Sequence, residues 1–238
     1  SSDKYQYVLP YYNFSKNIFS NNLFVVDLSS SGSNKLSNTN NLRSRIVNDL
    51  KVSSYDNYSN FGFQNNINAY FKNLNTVGKN DSKYKSRPSM EVASIYEFSS
   101  SLPLEKSKQN ITEYLTPKVS FRINPGDMHN NSTSKRLITP DNIFDINRIG
   151  ATDAYESGKS LTLGIDYKKE REIDDSLTSE DINDFFGVKL ATVFRDTHED
   201  FIPTSSTLNQ KSSNIFGSIK KHNVYDRENS IIDTVKLD

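Results

Sequence analysis

Polar and apolar residues alternate without a break in residues 118–124, which read KVSFRIN. Successive side chains of a β-strand point to opposite faces, so Val119, Phe121 and Ile123 share one face and the four polar residues share the other. Residues 160–168, which read SLTLGIDYK, repeat the pattern. Both stretches predict strands with one apolar side and one polar side.

Alternation of this kind predicts about ten strands along the whole chain. The connectors between them are rich in Ser, Asn, Asp, Gly and Pro, as in residues 30–34 and 124–127, and these residue types favour turns and hence antiparallel hairpins. No linker or shift in composition marks a domain boundary within residues 1–238. The predicted strands are 4–14, 23–31, 40–53, 61–74, 88–100, 114–124, 160–170, 185–195, 213–222 and 230–238.

The composition excludes several classes of protein. Of the 238 residues, 34 are Ser and 28 are Asn, which disfavours a helix-rich fold because both side chains compete with helical backbone hydrogen bonds. The 29 basic residues balance the 29 acidic ones, so the basic surface typical of a nucleic-acid-binding protein is missing and we expect no nucleic-acid partner. The absence of cysteine excludes zinc ribbons and thiol catalysis.

No apolar run approaches the ~20 residues of a membrane-spanning helix, so any contact with a membrane would be made by strands. Ten long strands, each with a charged face, fit a β-sandwich poorly, because sandwich strands are shorter and their polar faces point outward. A large barrel that is apolar toward lipid and polar toward a wet lumen fits better. From the residues alone, both an outer-membrane-type barrel and a secreted antiparallel β-protein stay open.

Five stretches resemble, in the same order, the barrel domain of the LPS-assembly outer-membrane protein LptD, also called Imp or OstA. These stretches are residues 7–14, 102–118, 141–150, 158–164 and 194–217. The motif positions that carry the resemblance are Leu9, Pro10, Leu115, Pro117, Asp141, Asn142, Arg148, Gly150, Gly158, Gly164 and Arg195.

The resemblance implies an all-β fold, namely a middle part of an antiparallel up-and-down transmembrane β-barrel in the outer membrane of a Gram-negative bacterium. The family assembles lipopolysaccharide into the outer leaflet. Its implied partners are a lipoprotein plug resembling LptE inside the barrel, outer-membrane lipids, and a periplasmic bridge resembling LptA, which joins through a domain preceding Ser1. We expect these ten strands alone to form an open curved sheet, because both cut edges keep unpaired backbone groups.

The polar strand faces supply the candidate functional residues. A charge on the lipid side near the midplane costs about 2–4 kcal/mol for Arg or Lys, so the charged faces are predicted to line the lumen. Some of these residues would contact the plug or the passing glycolipid. The lumen-facing candidates are Arg43, Arg45, Asp49, Lys51, Glu91, Glu97, Lys118, Arg122, Asp166 and Lys168.

No catalytic site stands out in the sequence. His198 lies in the acidic stretch 196–200, between two predicted strands, where a solvated loop is expected. The nucleophile elbow G-x-S-x-G does not occur. We therefore expect no enzymatic activity, no cofactor and no metal.

Two alternatives differ in what they predict. Another outer-membrane barrel, a porin or a receptor, predicts plain hairpins without the stretch 141–150. A secreted β-rich adhesin or surface-layer domain would partition into buffer and not into detergent. In the barrel interpretation the longer connectors face outside, and the longest, residues 125–159, forms a cap over the lumen.

Overall fold

The computed structural model describes residues 6–37, 40–126, 136–150, 155–171, 184–200, 202, 207–224 and 230–237. This part of the chain is all-β, and its only helix is one 3-10 turn at Thr207–Asn209. None of its helices has the length and apolar character to cross a membrane.

Within the described part of the chain, twelve strands form a single sheet. Their bounds are β1 (Gln6–Ser20), β2 (Phe24–Ser37), β3 (Asn41–Ser54), β4 (Asn57–Tyr58), β5 (Gln64–Lys79), β6 (Ser89–Ser101), β7 (Leu104–Lys108), β8 (Ile111–Asn124), β9 (Gly158–Arg171), β10 (Asp184–Arg195), β11 (Phe216–Val224) and β12 (Ser230–Leu237). The ten long strands are neighbours in chain order, in the up-and-down arrangement β1-β2-β3-β5-β6-β8-β9-β10-β11-β12.

The ten predicted strands correspond to these ten long strands, while the two short strands were not predicted. The connector predicted at residues 30–34 is wrong, because these residues lie within β2 and pair with β3 without interruption. The predicted connector 101–113 is wrong, because β7 continues the line of β6 and pairs with the first residues of β8. Leu102 and Pro103 interrupt the strand, yet the amide of Leu102 still donates to the carbonyl of Pro117 at 3.0 Å. The chain turns only at Gln109 and Asn110, and Gln109 has a φ of +54°.

The sheet is open, as expected from the sequence. Every long strand pairs antiparallel with its neighbours. β1 pairs only with β2 and β12 only with β11, so these two strands form the two edges. Each edge leaves a row of backbone groups available for pairing with a further strand.

The two faces of the sheet differ in what packs on them. One face, here the covered face, lies beneath residues 136–150 and 155–157 of the β8–β9 connector, which we call the covering loop, and beneath parts of the β10–β11 connector. Apolar residues from both sides form the core between them, among them Val47, Leu74, Ala93 and Val193 from the strands and Ile138, Ile143, Ile149 and Leu208 from the connectors.

The opposite face, here the bare face, presents its large apolar side chains to the surroundings. In β6 the strand alternates between exposed Met90, Val92, Tyr96 and Phe98 and buried Ala93, Ile95 and Glu97. On β6 the bare face is therefore mainly apolar, and the covered face of the sheet buries charged residues. Among the residues whose burial the structure describes, the buried charged side chains are Lys72, Glu97, Arg122, Arg148, Glu156 and Arg195.

Candidate functional site

A row of polar residues crosses four strands of the covered face. Glu97 on β6 stands opposite Arg122 on β8, Arg122 opposite Ser160 on β9, and Ser160 opposite Arg195 on β10. Neighbouring strands lie about 4.8 Å apart, so the row extends about 15 Å across the sheet. All four side chains are buried, and charged groups are rarely buried unless they are paired.

Arg148 of the covering loop lies over this row and is 0% exposed. Its Nε donates to Glu156 Oε2 at 2.7 Å, and one terminal nitrogen donates to Glu156 Oε1 at 2.5 Å and to Ser160 Oγ at 3.0 Å. The other terminal nitrogen donates to Thr162 Oγ1 at 2.8 Å and to the Ile143 carbonyl at 3.4 Å. All five N–H donors of the guanidinium are thus used.

Glu156 is the acceptor at the centre of this cluster. It binds Arg148 at two points and also accepts a hydrogen bond from Arg195 of β10. Burial alone would raise the pKa of Glu156, but the charges of Arg148, Arg195 and Arg122 and the hydrogen bonds from Arg148 outweigh it and lower the pKa to about 2. The carboxylate stays ionised near neutral pH, so it holds the loop and is unsuited to exchanging protons.

Two further arginine contacts join the covering loop to the wall. Arg122 donates to the carbonyl of Phe144 as well as to Glu97, and Arg195 donates to the carbonyl of Ser157. Both arginines therefore connect a strand with loop backbone. We call Glu97, Arg122, Arg148, Glu156 and Arg195 the arginine clamp.

A second contact attaches the covering loop to strands β3 and β5 of the covered face. Lys72 of β5 is 4% exposed, and its Nζ lies 2.6 Å from Asp49 Oδ1 of β3. The ring of Tyr155 lies over the same ammonium, 4.7 Å from ring centroid to Nζ. Burial, together with the charge of Asp49 and a hydrogen bond to it, raises the pKa of the Tyr155 hydroxyl. Tyr155 and Glu156 therefore attach adjacent loop residues to opposite parts of the covered face.

The local shape of the covering loop follows from its own side chains. Asn142 Oδ1 accepts from the amide of Thr139 at 3.0 Å, and its Nδ2 donates to the carbonyl of Leu137 at 2.9 Å, which closes a tight turn. Phe144 lies against Gly164 of β9, where an added Cβ would be 2.8 Å from the ring. Gly164 thus leaves room for the loop to lie directly on the sheet.

Seven of the eleven motif positions meet at this loop. Asp141, Asn142 and Arg148 belong to it, Gly164 and Arg195 lie beneath it, and Gly150 and Gly158, near its second half, have positive φ values of 69° and 78°. The other four lie elsewhere, Leu9 and Pro10 in β1 and Leu115 and Pro117 in β8. Sequence reasoning missed Glu156 and Lys72; the only signal for Lys72 was its position on the polar face of a predicted strand.

All ten predicted lumen-facing residues lie on the covered face, since they share the alternation of its buried residues. Five of them form ion pairs with other residues of the covered face: Asp49 with Lys72, Glu97 with Arg122, and Lys118 with Asp166 at 2.5 Å. Arg122 belongs to the arginine clamp. The others are Arg43, Arg45, Lys51, Glu91 and Lys168, of which Lys168 pairs with Glu170 and Lys51 lies over the ring of Tyr70 at 5.7 Å.

Arg43 holds a different connector. Its Nε and one terminal nitrogen both donate to Asp81 Oδ2 at 2.8 Å, and its guanidinium lies 5.5 Å from the centroid of the Tyr84 ring. Partial burial opposes ionisation, but hydrogen bonds from Arg43 and from the amides of Tyr84 and Lys83 lower the pKa of Asp81. The β5–β6 connector is therefore attached to β3.

His198 lies in an exposed loop, as predicted, and its Nε2 is 2.9 Å from Asp200 Oδ1. Within the described ranges, no three His, Asp or Glu residues are grouped as metal ligands would be.

The chain matches none of the known protein-family models and none of the curated proteins with which it was compared. Its functional interpretation therefore rests on the two faces of the sheet, on the arginine clamp and on the motif residues. In chemical terms the clamp joins a loop to a sheet through buried pairs of arginine and glutamate.

Proposed function

We propose that this chain is part of the wall of a transmembrane β-barrel in the outer membrane of a Gram-negative bacterium. The observation that carries the proposal is the distribution of charge on the bare face. On β9, Lys159 and Lys169 bracket the bare-face residues Leu161, Leu163, Ile165 and Tyr167. Ten residues span about 33 Å along a strand, and a strand tilted by about 40° would cross about 25 Å, the height of the apolar band of such barrels.

Two further strands carry the same band. On β6 the bare-face residues from Met90 to Ser100 include no charge, and on β3 the same is true from Leu42 to Ser54. A water-soluble sheet has no need for such a band, because charged residues are tolerated anywhere on a solvated face. The covered face would then point into the barrel lumen, which in this architecture is polar.

Uncharged polar residues interrupt the band on β2, β3 and β5, and they bond to one another. Ser30 Oγ donates to Asn48 Oδ1 at 2.6 Å, and Asn48 Nδ2 donates to Asn73 Oδ1 at 3.1 Å. Burying an unpaired side-chain amide in the hydrocarbon of a bilayer costs on the order of several kcal/mol, and pairing the amides with one another reduces that cost.

Through its resemblance to LptD, we assign this wall to a translocon that assembles lipopolysaccharide into the outer leaflet. Its role there is structural and not catalytic. The partners are lipopolysaccharide, a plug resembling LptE within the lumen, outer-membrane lipids, and a periplasmic bridge resembling LptA, bound by another part of the same protein. The covering loop, held by the arginine clamp, narrows the lumen from the side of the longer connectors.

Two measurements test the proposal. The chain should partition into detergent and co-sediment with outer membranes, and recovery from aqueous buffer would favour the secreted adhesin or surface-layer alternative. Depletion of the protein that carries this chain should reduce newly made lipopolysaccharide at the cell surface. Normal surface lipopolysaccharide in depleted cells, with loss of solute uptake instead, would favour a porin or receptor.

A further inference from the structure

The covered face holds a second cluster of charges, outside the arginine clamp. A cavity of about 400 Å³ lies over β8 to β11, and Lys168, Lys189 and Lys220 line it together with Asp166. The strand register brings them together, since Asp166 is opposite Lys189, and Gly187 is opposite both Lys168 and Lys220. The lining has three positive charges and one negative charge.

The lysines differ in how closely they are neutralised. Lys168 pairs with Glu170 of its own strand. Lys189 and Lys220 instead share one carboxylate of the covering loop: Asp141 Oδ1 is 2.5 Å from the Nζ of Lys189, and Asp141 Oδ2 is 3.8 Å from the Nζ of Lys220. Lys189 is also 3.9 Å from Asp166, which in turn pairs with Lys118 at 2.5 Å. Three lysines, Lys118, Lys189 and Lys220, thus share two carboxylates.

The cavity also offers contacts for the uncharged part of a ligand. The aromatic residues Tyr114 and Phe185 line it, as do the hydroxyl-bearing residues Thr116 and Ser218. An added Cβ at Gly187 would find its nearest atoms, two backbone carbonyl oxygens, at 3.7 and 4.0 Å, so the floor of the cavity is open there. Its volume lies within the range of small-molecule sites.

We propose that Lys189 and Lys220 form a binding site for an anionic group, and that the Asp141 carboxylate is its internal occupant in this structure. The ligand class is a phosphate carried on a sugar-sized ring. The phosphate would replace Asp141 at the two ammonium groups, because it offers more acceptor oxygens and more charge than one carboxylate. The ring would lie against Tyr114 and Phe185. The proposed site does not depend on lipopolysaccharide export, because a soluble sugar phosphate carries the same phosphate group as a lipid headgroup.

Titration of the full chain in detergent with glucose 1-phosphate, followed by calorimetry or ³¹P NMR, tests the site. Inorganic phosphate, methyl glucoside and a short-chain phosphatidic acid are the comparison ligands. We expect saturable binding of glucose 1-phosphate, weaker binding of inorganic phosphate and none of methyl glucoside. Binding of phosphatidic acid alone would identify a lipid headgroup site. Absence of saturable binding by every phosphate would overturn the proposal.

Four variants locate the binding. Lys220→Gln should weaken glucose 1-phosphate binding about tenfold, because one charge-assisted hydrogen bond is lost. Gly187→Leu should weaken sugar phosphate binding more than inorganic phosphate binding, because the added side chain fills the cavity. Lys106→Gln, an exposed lysine on β7, is the matched control and should leave affinity unchanged. Equal affinity in Lys220→Gln and wild type would contradict the site.

The Asp141→Asn variant distinguishes two roles for Asp141, namely a competitor of the ligand and a member of a purely structural ion pair. If Asp141 competes with the ligand, this variant should bind glucose 1-phosphate several-fold more tightly, and high salt should weaken binding in every variant. A structural ion pair predicts no gain in affinity. Unchanged or weaker binding in Asp141→Asn, with circular dichroism equal to wild type, would therefore refute Asp141 as the occupant. None of these outcomes depends on whether the protein exports lipopolysaccharide.

Discussion

Arg148 and Glu156, eight residues apart in the chain, form a buried ion pair at two points, with donor–acceptor distances of 2.7 and 2.5 Å. Both side chains are buried, Arg148 completely, and Arg195 of β10 binds the same carboxylate. The pair therefore closes the covering loop on itself and fixes it to the sheet in one arrangement. Loss of Glu156 would leave the Arg148 charge buried without this carboxylate, and loss of Arg148 would leave Glu156 with Arg195 as its remaining ion-pair partner.

Replacement of Arg148 by Ala is expected to destabilise the fold by about 3–5 kcal/mol, the usual cost of breaking a buried ion pair from one side. Urea unfolding followed by tyrosine fluorescence measures the change. Arg136→Ala is the matched control, because Arg136 pairs with Asp145 in the same loop at 2.6 Å but is about one third exposed. The control should cost about 1 kcal/mol or less. Equal effects of the two substitutions would contradict the central role of Arg148.

Acid should weaken the clamp in a defined pH range. The pKa of Glu156 falls from 4.5 to about 2 in the folded chain, so the stability it contributes is fully present above about pH 4.5 and is lost as the pH falls toward 2. A shift of that size corresponds to about 3 kcal/mol. Unfolding free energies between pH 6 and pH 2 measure it, and Glu156→Gln should show a flatter profile. An identical profile for Glu156→Gln and wild type would count against the clamp.

Gly164→Ala should disturb the seat of the covering loop, because the new Cβ would lie 2.8 Å from the Phe144 ring. Overpacking of this kind costs about 1–3 kcal/mol. Phe144→Leu in the same chain should restore part of the loss by making room, and a double-mutant cycle measures that coupling. Additive effects of the two substitutions would show that the ring and the glycine are not in contact.

Val92→Arg tests the proposed lipid contact of the bare face. Val92 is 56% exposed, so in a water-soluble protein arginine there should change stability by about 0.5 kcal/mol or less. In a barrel that crosses a bilayer the same substitution should cost about 2–4 kcal/mol near the midplane. Urea titrations in lipid vesicles decide between these values, with Ser86→Arg in the exposed β5–β6 connector as control. A near-neutral Val92→Arg would speak against membrane insertion.

The proposed barrel also has a predicted orientation. The connectors of 33 and 20 residues that follow β8 and β10 lie at the same end of the sheet as the β5–β6 connector, and that end should face outside. The chain has no cysteine, so a single introduced cysteine is its only thiol, and labelling of the chain reports on that position. Ser86→Cys should react with a membrane-impermeant thiol reagent on intact cells, and Asn60→Cys at the opposite end should not. Labelling of position 60 alone would reverse the orientation.

The period-two alternation of residues 118–124 and 160–168 was enough to predict which side chains share a face, because that property depends only on neighbours along the chain. It correctly predicted ten strands and the common face of residues such as Arg43, Glu97 and Lys118. The open sheet was also predicted correctly, but from the unpaired edges of a barrel fragment and not from the alternation. It missed β7, because Pro103 interrupts the alternation where pairing with β8 nevertheless continues.

Tertiary structure decided what the polar face contacts. The row from Glu97 to Arg195 exists only in one register of four strands, and no local pattern specifies which residues will stand opposite each other. Arg148 and Glu156 lie in a connector with no periodicity, and their strand partners include Thr162, 14 residues from Arg148, and Arg195, 39 residues from Glu156. These charged residues form a clamp because burying an unpaired charge is unfavourable, so each buried charge pairs with a group elsewhere in the fold.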